Sequence, residues 1–277
     1  MRRRTLHIMF VALFVTAACM EAVSFAQQAQ PGRAGQTDGA TSATARGRAG
    51  RGLRAGRGMR GNTPTTVPLS SLAPARHEEF VALAKQGNID LVFFGDSITD
   101  FWRRDSPRGG KAVWDKTWAP LKAANFGISG ERVEHVLWRA ENGELEGYKP
   151  KLVVLMIGTN NFTGGATNQG IVDGIKNLCV EIERRQPDAK LLLLGIFPRV
   201  AAPTNPYRPR IKEINAALAK MDDGKKLFFL DIGEKLLAAD GTLTTEIMPD
   251  GLHPNEQGYQ IWADATLPKV KELMGTK

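Results

Sequence analysis

The residues best suited to covalent chemistry stand where apolar runs end. Gly95-Asp96-Ser97-Ile98-Thr99-Asp100 follows the run Leu91-Val92-Phe93-Phe94. A serine just past a strand and opening a helix carries a free backbone N–H where an oxyanion can sit. The same placement also suits an ordinary helix N-cap. Asp250-Gly251-Leu252-His253-Pro254-Asn255 stands near the C-terminus. An aspartate three residues before a histidine can accept a hydrogen bond from Nδ1, which fixes the tautomer and leaves Nε2 to take a serine proton. The bland alternative is a loop Asp and His with separate structural roles. Gly158-Thr159-Asn160-Asn161 follows another apolar run. The Asn160 amide can steady a developing oxyanion or merely cap a loop. In Asn125-Phe126-Gly127-Ile128-Ser129-Gly130-Glu131, Gly130 precedes a helical pattern, and a glycine lets substrate approach its N–H closely. Each signal is weak by itself. Four in this order point to acyl transfer through a serine nucleophile.

Such residues converge only if the chain lines up their segments at one edge. From about residue 67 the pattern alternates between short apolar runs and helical periodicity. Leu91–Phe94, Leu152–Ile157, Leu191–Leu194 and Leu227–Leu230 are unalternated, the mark of strands buried on both faces. Ala124–Phe126 is a short fifth candidate. Helical periodicity fits Pro74–Gln86, Val133–Ala140, Ile171–Arg185, Pro209–Met221 and Asn255–Met274, with Pro268 expected to kink or break the last. These elements predict one α/β domain over 67–277, a three-layer α/β/α sandwich on a parallel sheet of about five strands. In such sheets sites form beyond the carboxyl ends of the strands, where all four polar segments fall.

The four segments resemble the blocks of the SGNH (GDSL) hydrolase superfamily, which centre on Ser, Gly, Asn and His. The chain is similar above all to the catalytic subunits of intracellular platelet-activating-factor acetylhydrolase. Asn125–Ile128, His135–Arg139, Asn142–Glu146, Lys149–Lys151, Gly158–Asn161 and Arg185–Pro187 carry that likeness, which covers roughly residues 75–270. It implies a flavodoxin-like sheet, the SGNH hydrolase fold. It implies Ser97 as nucleophile, His253 as general base and Asp250 as the residue that orients it. The oxyanion hole would be the N–H groups of Ser97 and Gly130 with the Asn160 side chain. Gly127 would shape its turn and Asp96 the nucleophile loop. The residues after the nucleophile, Ile98 to Gly110, depart from the family, and they border the pocket.

The net charge of +8 has a local origin. Residues 1–66 hold ten arginines against Glu21 and Asp38, while the remaining 27 basic and 27 acidic residues cancel. The basic balance therefore gives no support to a nucleic-acid-binding catalytic domain. Arg2-Arg3-Arg4, the apolar stretch Ile8–Ala18 and Ser24-Phe25-Ala26 read as an export signal over 1–26. A lipoprotein site at Cys19, a twin-arginine signal and a retained anchor are the alternatives. Residues 27–66, rich in Gly, Ala and Arg, read as a disordered linker, a tether or an arm touching anionic envelope polymers. Its Arg/Gly runs resemble RNA-binding tracts, but an exported protein lacks that partner. Cleavage after Ala26 would leave Cys179 alone, in an apolar helical pattern that suits a buried thiol. His77 and His135 lie in helical patterns and read as structural. No metal-ligand spacing and no nucleotide-binding glycine motif occurs, so no cofactor or metal is implied.

The expectation is an exported esterase acting on short acyl, especially acetyl, esters of a small molecule or glycan. A carbohydrate O-acetylesterase is the main alternative; a lysophospholipase or thioesterase stands behind it. A non-catalytic glycan-binding protein on the same scaffold is the rival from another class. The resembling subunits dimerise, which leaves a homodimer open.

Overall fold

The computed structural model describes residues 64–276. The expected export signal, and all but the last three residues of the expected linker, lie outside the described residues. Five strands form one parallel sheet: β1 (Leu91–Gly95), β2 (Ala123–Gly127), β3 (Leu152–Met156), β4 (Lys190–Leu194) and β5 (Leu227–Leu230), in the order β2-β1-β3-β4-β5. This is the flavodoxin-like order, with the first reversal of strand order beside β1.

Alternate residues of each strand feed two cores. Val92 and Phe94 join Phe126, Val136, Ile175 and Ile214 on one face. That face is covered by α1 (Pro74–Lys85), α4 (Val133–Arg139), α6 (Asn168–Arg185) and α7 (Tyr207–Ala219). Leu91 and Phe93 join Trp102, Trp118, Tyr259 and Trp262 on the other. That face is covered by α3 (Lys111–Thr117) and α8 (Glu256–Met274). The short helices α2 (Ser97–Asp100) and α5 (Thr159–Thr163) follow β1 and β3. No helix among the described residues is long and apolar enough to cross a membrane.

Two sequence expectations need correction. Pro268 does not end the last helix, which runs unbroken to Met274. Pro268 and Asp264 both face solvent, so the carbonyl that loses its partner can turn to water. Trp262, Ala263 and Thr266 before the proline, and Val270 and Leu273 after it, bury both halves in one core face. Ordered packing also reaches beyond residue 67. Thr65 is buried, and its hydroxyl donates to the Gly170 carbonyl in α6. Gly174, one turn on, leaves room for the Thr65 Cβ and carbonyl, which a Cβ at 174 would meet at 2.8 Å.

Candidate active site

Ser97 opens α2 directly after β1. Asp96 caps this turn by accepting from the Ile98 N–H at 3.0 Å. The Asn125 amide donates to the Thr99 carbonyl at 2.9 Å, and the Tyr259 hydroxyl donates to that of Ile98 at 2.6 Å. The nucleophile turn is thus held by side chains from β2 and from the last helix. Gly127 makes its tight seat, since a Cβ there would collide with the Asp100 nitrogen.

His253 reaches the same point from a loop 156 residues away. Its Nε2 lies 2.9 Å from Ser97 Oγ, and its Nδ1 lies 2.7 Å from Asp250 Oδ2. An ionised carboxylate only accepts, so Nδ1 carries the proton and Nε2 accepts from the serine. Burial pushes the Asp250 carboxyl up. The His253 N–H and ring and the Leu252 N–H together outweigh that and hold it below the ordinary carboxylate range. Asp96 behaves oppositely. It is fully buried with one oxygen unpartnered, and desolvation pushes its carboxyl up to about 7.

Gly130 and Asn160 meet through Glu131. The Asn160 side chain donates to the Glu131 carbonyl at 2.8 Å, one residue from Gly130. A primary amide has two N–H groups, so the second remains for a ligand. Gly130 takes φ +81°, and a Cβ there would meet only Leu72 Cδ1, in ordinary contact at 3.8 Å. Sequence reading therefore named residues that the fold does bring together. Ser97, His253 and Asp250 form one hydrogen-bonded chain, and Gly130 and Asn160 sit side by side at the adjacent strand ends.

Sequence reading missed the supports. Arg139 is fully buried. Its guanidinium pairs with Glu131 at 2.6 Å and Glu144 at 2.7 Å, and donates to the carbonyls of Phe126 (2.9 Å) and Gly95 (3.0 Å). One side chain thereby ties the ends of β1 and β2 to the Gly130–Glu131 segment. His77 joins this cluster through Glu144 at 2.8 Å, and His135 accepts from the Arg132 N–H at the start of α4, so both have structural roles. Phe101 stacks on the His253 ring with centroids 4.6 Å apart. Val200 holds φ +64°, rare for a β-branched residue, and its N–H donates to the Gly251 carbonyl at 2.7 Å. Arg208 secures that bend through the carbonyls of Arg199 and Val200, both at 3.1 Å. Arg139 does stand in the block His135–Arg139 that carries the family likeness, but its helix also holds Glu134 and His135, and nothing in the pattern marks the arginine as buried. Cys179 is buried, and burial pushes its thiol well up, away from reactivity.

Comparison with known proteins gives the family and the fold. The model of the GDSL-like lipase/acylhydrolase family matches residues 93–261. The alpha1 subunit of human platelet-activating factor acetylhydrolase IB is 38% identical over 184 residues, covering 66% of this chain and 76% of that one. The rat alpha2 subunit is 36% identical over 186 residues, covering 67% and 77%. Among solved structures, a GDSL-like lipase from Bacteroides thetaiotaomicron superposes with a TM-score of 0.58 at 22% identity, over 73% of this chain and 98% of that one. An acetylxylan esterase from Geobacillus stearothermophilus superposes with a TM-score of 0.52 at 20% identity, over 69% and 96%. These two show a shared fold.

Proposed function

We propose that this chain, which belongs to the GDSL-like lipase/acylhydrolase family and is a carboxylic ester hydrolase, cleaves short acyl esters through Ser97, His253 and Asp250. The observation that carries the reading is the unbroken Asp250–His253–Ser97 hydrogen-bond chain at the strand ends. As Ser97 Oγ attacks the ester carbonyl, His253 Nε2 takes its proton. The oxyanion is held by the N–H groups of Ser97 and Gly130 and by the free N–H of Asn160. The carbonyl re-forms, the ester C–O bond breaks, and His253 returns the proton to the leaving alcohol. Water then repeats the sequence on the acyl-serine, releasing the acid. Asp250 keeps the imidazole in the required tautomer throughout.

An acetyl group is the acyl part supported best, because the relatives identical at 36–38% are named acetylhydrolases. The export signal read in the sequence favours an O-acetylated glycan outside the cytoplasm as the alcohol part, and the fold shared with an acetylxylan esterase is compatible with that. The test is p-nitrophenyl acetate turnover. Ser97→Ala should lose about 10⁶ in kcat. Asn160→Ala should lose about 10²–10³ and remain measurable. Wild-type-like turnover by Ser97→Ala would sink the assignment. An acetate-to-octanoate series should decline with chain length; rising rates would indicate a lipase instead.

A further inference from the structure

Proton return from His253 places the leaving alcohol against the His253 ring. A cavity of about 440 Å³ opens at that ring, bounded by Phe101, Arg104, Arg108, Asp250 and Asn255. A larger cavity, about 660 Å³, lies along α7 and β5 and contains no member of the triad. The smaller one is framed by Pro107, Pro249 and Pro254, whose fixed φ stiffens its walls.

Its charge is unbalanced. Asp250 is the only carboxylate in the lining, and both its oxygens are taken by three N–H groups from Leu252 and His253. Arg104 and Arg108 have no carboxylate partner among the described residues, whereas the neighbouring Arg103 pairs with Asp100. Arg104 is not free to wander. Its guanidinium lies 3.3 Å from the centroid of the Phe101 ring, the ring that also stacks on His253. Both arginines belong to the 98–110 segment that departs from the resembling acetylhydrolases. This segment thus presents two uncompensated guanidinium groups to the alcohol side of the reacting ester.

We propose that the cavity bounded by Phe101, Arg104, Arg108 and His253 is a subsite for an anionic group, carboxylate or phosphate, carried on the alcohol portion of the ester. The proposal rests on the esterase reading above and narrows its substrate to esters of acidic alcohols, such as an O-acetylated acidic sugar. Guanidinium groups suit both anions, since their planar donors match two oxygens at once.

The test uses acetyl esters at one position of one sugar frame, with hydroxyl, carboxylate or phosphate at C6. p-Nitrophenyl acetate serves as the uncharged reference. At least one anionic ester should exceed the neutral one about tenfold in kcat/KM. The favoured arm identifies the anion. Raising NaCl to roughly 0.5 M should shrink that ratio, because the arginines are exposed. Arg104→Gln with Arg108→Gln should bring the ratio near one. Equal kcat/KM on all three sugars, or an anion preference that survives the double substitution, would overturn the subsite. The wild-type ratio and its salt dependence decide the matter if the double variant folds poorly. Turnover of p-nitrophenyl acetate without anion preference overturns this proposal alone. No turnover of any ester overturns the esterase reading as well.

Discussion

Arg139→Met tests whether the buried ion cluster holds the site in place. The substitution removes the guanidinium and leaves two fully buried carboxylates, Glu131 with no ion pair among the described residues and Glu144 with only the His77 ring. The carbonyls of Phe126 and Gly95 lose a donor too. Breaking a buried pair from one side costs roughly 3–5 kcal/mol. The orphaned carbonyls cost about 1–3 kcal/mol each when nothing replaces the donor, and these losses are not additive. A total of about 4–5 kcal/mol is expected. For a domain of this size that lowers Tm by roughly 8–20 °C. Urea unfolding and thermal melts of wild type and variant would read it. A triple variant separates charge from shape. Glu131→Gln and Glu144→Gln together with Arg139→Met remove the uncompensated charges, so this variant should recover part of the loss. Glu131 also supplies the carbonyl that holds Asn160, so the folded single variant should lose kcat more than it raises KM. A single variant within about 1 kcal/mol of wild type, or a triple variant no better than the single one, would refute the reasoning.

Two further outcomes follow from the site. Asp96 titrates near 7 in the folded chain because burial disfavours its charged form, against about 3.9 for an unfolded aspartate. The folded state then holds the extra proton, so Asp96 makes stability fall as pH rises from about 4 to 7 and level off above. Between about pH 5 and 8 wild type should therefore lose on the order of 2–3 kcal/mol more than Asp96→Asn; parallel stability–pH curves would exclude a raised Asp96. Gly127→Ala should damage stability and activity together, because its methyl would collide with the Asp100 nitrogen in the nucleophile helix. Gly130→Ala makes no clash, only ordinary contact with Leu72, and should lose only about 1–2 kcal/mol to its positive φ, so equal unfolding midpoints for the two variants would contradict the geometry.

The layers of the fold were legible because the strands carry no polar alternation. Leu152–Met156 and Leu191–Leu194 announce burial on both faces, whereas the like run Leu227–Leu230 forms an edge strand whose last three residues are half-buried, and the polar segments begin where such runs end. Asp250 and His253 were legible because their contact is local, three residues apart. What pairs across the chain left no periodic trace. Phe101 stacking on His253, Arg208 gripping the bend at Val200, and Arg139 reaching Gly95 depend on how separate strand ends meet. The helix through Pro268 shows the same limit from the other side. A local breaker is overridden when both flanking turns bury large side chains in one core.

Rapid quenching during turnover of an acetyl ester, followed by peptide mass analysis, tests the nucleophile assignment most directly. Wild type should carry one acetyl group on the peptide containing Ser97, and Ser97→Ala should carry none while keeping its fold. Acetylation at another residue, or turnover by Ser97→Ala at the wild-type rate, would contradict a mechanism that runs through Ser97.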